Sequence, residues 1–205
     1  MNSQLYSKCV GYNFEALFKK KGYAYFTNGE YNVNIIGVRS NNRHRVTNKF
    51  DDVIIVDYKT AKQRKRVMYA ITTEPGLTSM KSFTNSKGVA ILVPGQYRGT
   101  YAIDRHNGKY KALCQRLKPV KVYRDNNKND VYDLDPKTIQ SGMFGINIHR
   151  STAAGEAYVV NGYSAGCQVF SSKIDFDKFM ALMEKSRVLY GNSFTYTLID
   201  EDDLV

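Results

Sequence analysis

The run Met143-Phe144-Gly145-Ile146-Asn147-Ile148-His149 and the later run Tyr163-Ser164-Ala165-Gly166-Cys167-Gln168-Val169-Phe170 carry most of the information in this chain. Both hold short apolar stretches bounded by small or polar residues, the pattern of buried strands. They predict a strand over Phe144–His149 and another over Cys167–Phe170, the second entered through the small-residue turn Ser164-Ala165-Gly166. A histidine at a strand end and a cysteine beside a glycine turn are rigid placements, and the two lie eighteen positions apart. A free thiol is mostly protonated at neutral pH, so it needs a base before it can act as a nucleophile. A turn glycine beside it also lets backbone N–H groups approach a substrate carbonyl. The residue types alone leave a second reading open, in which the cysteine is a core residue and the histidine a structural one.

Working outward, the chain from Val33 onward reads as mostly strands. Candidates are Val33–Val38, Val53–Tyr58, Val67–Thr72, Val89–Val93, Val120–Tyr123, Ala157–Val160 and Phe194–Ile199, with Pro75-Gly76 and Pro94-Gly95 as turns between them. Two helices stand out. Asn13 to Lys21 places Phe14, Leu17 and Phe18 on one face, with Asn13 as cap and Gly22 beyond the end. Asp175 to Arg187 places Phe176, Phe179, Met180 and Met183 on one face, with Asp175 as cap. The expected fold class is mainly β, two packed sheets with a short N-terminal helix and one amphipathic helix in the C-terminal half. The expected organisation is an N-terminal helical extension over 1–32, one domain over 33–199 and a frayed acidic tail over 200–205.

At 205 residues the chain can bury a core without staples. Its 16 Tyr and 10 Phe exclude a disordered chain, and no apolar run is long enough to span a bilayer. Three cysteines at irregular spacing make neither a disulfide framework nor a zinc pattern; Cys114 reads as core. Net charge is +11, with its densest run, Lys59 to Arg66, expected as a solvated hairpin loop. That surplus favours polyanions and keeps a nucleic-acid-binding function as a third option, but no nucleic-acid-binding motif accompanies it. Asp125 to Asp130 lacks the glycine and the closing glutamate of a calcium loop and reads as a polar turn. Gly95-Gln96-Tyr97-Arg98-Gly99 lacks the ending of a phosphate loop. Asp104-Arg105-His106-Asn107-Gly108 reads as a surface turn whose His106 could line a cleft, and His44 reads as solvated.

The segment Ile146-Asn147-Ile148-His149-Arg150-Ser151 followed by Ser164-Ala165-Gly166-Cys167 resembles the active-site signature of the L,D-transpeptidase catalytic-domain family, as a phage-encoded or divergent member. The resemblance implies Cys167 as nucleophile, His149 as its base, and the Arg150 backbone carbonyl as the group that orients the imidazole. It implies a β-sandwich fold with the cysteine in a cleft crossed by a flap. Ser164 and Gly166 match the family's turn, and with Tyr163 and His106 they are the expected substrate-binding residues. Thr73-Glu74-Pro75-Gly76 stands where the family often has a Thr-Pro-x-Gly turn. Two positions depart from the signature: its second histidine is Ala165, and its following arginine is Val169. The implied reaction is acyl transfer on peptidoglycan stem peptides through a Cys167 thioester, by transpeptidation or hydrolysis, with neither cofactor nor metal.

The N-terminus shows no secretory leader, so the expected location is a virion or release at lysis, otherwise cytoplasmic, with other virion proteins as possible partners. The alternative is a virion-associated structural protein that keeps the fold with weak or no catalysis. Thiol reactivity should separate the two, since an enzyme is expected to hold one fast-alkylating cysteine of depressed pKa.

Overall fold

A computed structural model describes residues 2–41 and 45–205; His44 lies outside them. Continuous apolar runs such as Val53-Ile54-Ile55-Val56 form strands buried on both faces, because something covers each side. Strand β1 (Asn34–Arg39) and strand β2 (Asp52–Lys59) are antiparallel neighbours of this kind. Ile35, Ile54 and Val56 face the main core, while Ile36, Val38, Val53 and Ile55 face outward. That outer face is covered by helices α1 (Ser3–Cys9) and α2 (Phe14–Lys21), through Leu5, Cys9, Phe14, Leu17 and Phe18. Asn13 caps α2 by accepting from the Ala16 N–H at 3.0 Å, and Gly22 ends it at φ 70°. Helix α1 was not foreseen, since only Leu5 and Cys9 mark its apolar face within a polar run. The segment read as an extension thus shares a core with β1, β2 and the last strand.

The remaining strands in chain order are β3 (Arg64–Thr72), β4 (Val89–Leu92), β5 (Gly95–His106), β6 (Tyr110–Gln115), β7 (Val120–Asp125), β8 (Gln140–Gly142), β9 (Ile148–Arg150), β10 (Gln168–Phe170) and β11 (Phe194–Asp200). The protein is mainly β, with its short N-terminal helices and a long helix, α4, in the C-terminal half. The larger of its two sheets closes on itself in the order β1-β11-β5-β6-β9-β10-β3-β2, and β4-β7-β8 form the second. Closure leaves the larger sheet no exposed edge. Leu92, Val120 and Val122 of the small sheet join the barrel core, as do Phe176, Phe179 and Met183 of α4 (Lys173–Tyr190). A short helix, α3 (Leu77–Lys81), follows β3. Among the described residues no helix is long and apolar enough to cross a membrane.

Several expectations need correction. The strand expected over Phe144–His149 begins only at Ile148. Gly145 turns at φ 71°, and the Phe144 and Ile146 N–H groups both donate to Gln115 Oε1 at 3.1 Å instead of joining a ladder. Ala157–Val160 is no strand: its neighbour Glu156 makes one bridge to Ser172, and the Val160 N–H goes to Asn48 O at 3.0 Å. Strands β5 and β6 were missed, and Asp104–Gly108 is the end of their hairpin, turning at Asn107 (φ 50°) and Gly108 (φ 71°). Helix α4 is capped by Ser172, not Asp175; the Asp175 N–H donates to Ser172 Oγ at 3.3 Å.

The acidic tail is not frayed. It forms a 3-10 turn, Glu201–Asp203, held by Lys8–Glu201 at 2.6 Å and Lys21–Asp203 at 2.7 Å. Nor is the basic run purely solvated, because Arg64 and Arg66 both pair with buried Asp57. The Thr73–Gly76 turn is tied down by Asp52, which accepts from the Thr73 N–H at 2.7 Å, while the Gly76 N–H donates to Ser164 O at 3.0 Å. Fully buried Arg39 completes that anchor, with its Nε 2.9 Å from Thr73 Oγ1 and 3.4 Å from Glu74.

Candidate active site

Strands β9 and β10 run parallel, with Ile148 opposite Gln168 and His149 opposite Val169. Ile148 and Phe170 enter the barrel core, and Gln168 Oε1 accepts from the buried Tyr196 hydroxyl at 2.8 Å. By the period of two, His149, Cys167 and Val169 take the opposite face. Cys167 sits one residue ahead of β10. Its Sγ accepts from the Asn147 N–H at 3.4 Å, and its S–H donates to Gly145 O at 3.4 Å. The turn before it is built for glycine: Gly166 has φ +122°, and a Cβ there would lie 2.1 Å from the Ala90 carbonyl oxygen.

Ser164 is fully buried. Its Oγ accepts from the Gly166 N–H at 3.1 Å and donates to Cys167 O at 2.9 Å. Ser164 and Gly166 therefore shape the turn instead of touching a ligand, and the Gly166 amide is not free to hold an oxyanion. The Cys167 amide is not engaged by these bonds. Tyr163 and Ala165 line the cavity that opens here, whereas Val169 is buried against Phe50 and Val160.

That cavity, of about 920 Å³, brings together Cys167, His149, His106 and Tyr163. The His149 Nδ1–H donates to Arg150 O at 2.8 Å, which leaves Nε2 with its lone pair. The Tyr110 hydroxyl donates to the same carbonyl at 3.2 Å. The Arg150 guanidinium stacks 4.1 Å over the Tyr110 ring and donates to Thr152 O, so its side chain is engaged away from the cavity. His106, at the end of β5, stacks on His149 with ring centroids 4.0 Å apart. Asn147 holds the ring in place. Asn147 Oδ1 accepts from the Gln115 N–H at 2.9 Å, its Nδ2 lies 3.1 Å from His106 Nδ1, and the exposed Asn107 amide lies 3.2 Å from His106 Nε2.

Sequence reasoning missed Tyr110 and Asn147. Asn147 was visible as the one amide between Ile146 and Ile148, and Tyr110 as the residue following an Asn-Gly hairpin signal by two. Cys114, in contrast, is a core thiol whose S–H donates to Asp104 O at 3.6 Å. Among the described residues no group of three His, Cys, Asp or Glu could hold a metal ion.

Burial pushes the His149 imidazole down to about 4, helped by neighbouring His106 and Arg150 and opposed by the bond to the Arg150 carbonyl. Burial also pushes the Cys167 thiol up to about 11, against the pull of the Asn147 N–H. His106 is lowered by burial and by Arg116. At neutral pH the resting pair is therefore an uncharged thiol and an uncharged imidazole. The depressed thiol pKa expected of an enzyme is not what this site holds at rest. Among the described residues His149 Nε2 accepts no hydrogen bond, and it shares the cavity with a thiol whose S–H rests on Gly145 O. Comparison with protein-family models, with curated proteins and with solved structures finds no match to this chain.

Proposed function

We propose that this protein is a cysteine acyltransferase of the L,D-transpeptidase type, acting on peptidoglycan stem peptides. The observation that carries the proposal is the tautomer of His149: Nδ1–H is spent on the Arg150 carbonyl, so Nε2 is available as a base in the cavity that holds Cys167. Nε2 takes the thiol proton as Sγ attacks the donor carbonyl, and the S–C bond forms while the carbonyl π pair moves to oxygen. The Cys167 N–H, not spent within the turn, is the amide beside the thiol that can hold that oxyanion. The tetrahedral intermediate then expels the leaving amine, which takes the proton from the imidazolium. Its low pKa makes buried imidazolium a ready acid for this step. An acceptor amine or water resolves the thioester.

Mass spectrometry of products from purified tetrapeptide muropeptides tests the proposal. Loss of the terminal amino acid, or a cross-link replacing it, supports it; unchanged muropeptides at high enzyme contradict it. The raised thiol pKa favours a second reading, a virion-associated scaffold that keeps the fold without robust catalysis. Under that reading the muropeptides stay unchanged.

A further inference from the structure

The wall of the Cys167 cavity carries three arginines, Arg105, Arg116 and Arg124, and no Asp or Glu among its described residues. Two of the three are poorly placed to impose a charge on the cavity. Arg116 pairs with Asp104 at 2.6 Å, and Arg105 is exposed at the hairpin end, where solvent screens its guanidinium. Arg124 differs. Its Nε donates to Gln140 Oε1 at 3.2 Å and one terminal nitrogen to Gly88 O at 3.3 Å, and its guanidinium lies 4.7 Å from the Phe144 ring centroid. All three partners are neutral. Among the described residues Arg124 pairs with no carboxylate, so its charge is held in place without being cancelled.

Its position relative to the thiol follows from register. Arg124 in β7 lies directly opposite Ala90 in β4, and the Ala90 carbonyl is the atom pressed against Gly166, the residue before Cys167. One strand spacing plus one close backbone contact therefore separates the Arg124 backbone from the cysteine turn, and both residues line the same cavity. Burial lowers the Arg124 pKa, as it does for a cation that has lost water without gaining a counter-charge. A held, part-dehydrated guanidinium is well suited to a carboxylate, through paired N–H donors.

We propose that Arg124 recognises a free carboxylate on the acyl donor and so selects anionic donors for Cys167. The assignment rests on Cys167 being the reacting centre, but its test needs no turnover. Iodoacetate and iodoacetamide differ in carrying a carboxylate or a neutral amide, and both alkylate the same thiol. Rates at Cys167, read by peptide mapping, should give an iodoacetate-to-iodoacetamide ratio that falls about tenfold in Arg124→Gln, one charge-assisted contact's worth. The iodoacetamide rate itself should stay within about twofold, and Arg116→Gln should move the ratio by less than about twofold, since Asp104 already offsets that charge.

In unmodified protein, propionate should slow the iodoacetate reaction while propionamide does not, which tests the site even if the variant fails to fold. A ratio unchanged in folded Arg124→Gln, or equal effects of propionate and propionamide, overturns the assignment. Failure of the acyl-transfer reading looks different: muropeptides stay intact while the carboxylate preference persists.

Discussion

The two outward faces of the barrel are finished in opposite ways. On β1, β2 and β11, helices α1 and α2 lay Leu5, Phe14 and Phe18 over Ile36, Val53 and Ile55, making a dry apolar layer. Beside β9 and β10, on the face that carries His149 and Cys167, the covering is incomplete and the space holds imidazoles, an amide and arginines. Strand alternation is the same in both places. What differs is whether the outward residue meets a helix or a loop with unspent polar groups, and only the second leaves room for chemistry. The covered face should then govern stability with little effect on turnover per folded molecule, and the open face the reverse.

The largest effect expected is at the thiol. Cys167→Ala should abolish acyl transfer while the melting temperature stays close to the parent's, because an alanine fits a half-buried site beside the turn. Activity at parental level in that variant removes Cys167 from the mechanism. Next, His149→Gln should lower the rate by roughly 10²–10⁴-fold, the usual worth of a general base. A larger loss in His106→Gln than in His149→Gln would reassign the base to the stacked neighbour.

On the covered face, Phe18→Ala should cost about 3–5 kcal/mol in denaturant unfolding, since the ring is buried and the helix cannot collapse onto the gap. Its turnover per folded molecule should not change, and a large drop there would blur the division between the faces.

Acidification should connect them. His149 is lowered to about 4 from an ordinary 6.5, so between those values the unfolded chain binds the extra proton. Stability therefore rises with pH across that window and is lost as pH falls through it, by on the order of 3 kcal/mol. His149→Gln should flatten this part of the profile; an unchanged slope would mean that other groups set it. The smallest effect is expected from Tyr110→Phe. It removes the weaker of two donors to the Arg150 carbonyl and should slow turnover only about fivefold, roughly 1 kcal/mol, with the melting temperature little changed.

How much of this was legible in the sequence differs by region for physical reasons. The uninterrupted run Val53-Ile54-Ile55-Val56 and the stripe Phe176, Phe179, Met180, Met183 announce buried elements whatever their partners. Strand β5 hides because Arg98, Asp104 and Arg105 interrupt its apolar residues, and Gly99 at φ 58° bends it next to a register shift against β11. The Asn107-Gly108 pair could have revealed it, as a turn that joins two strands of matching twist.

Of the candidate site, Cys167 and His149 stood out in the sequence because each lies beside a local signal, a glycine turn and the end of an apolar run. Arg124, Tyr110 and Asn147 did not, since their roles depend on which strand lies beside which. Asn147 becomes a positioning group only once the Gln115 amide takes its oxygen, and Arg124 reaches the cavity only through the pairing of β7 with β4. The Ser164 role was misread for a related reason: a serine before a nucleophile looks like a contact residue until its hydroxyl is seen to be spent on Gly166 and Cys167.

The most direct test of the His149–Cys167 chemistry is acylation by a penem, whose strained lactam carbonyl offers the thiol the same attack without a peptide donor. Intact mass followed by peptide mapping should find one adduct, on the fragment holding Cys167, with buried Cys9 and Cys114 unmodified and the rate falling in His149→Gln. A folded protein that stays unmodified after prolonged exposure, while iodoacetamide still alkylates Cys167, would contradict the account.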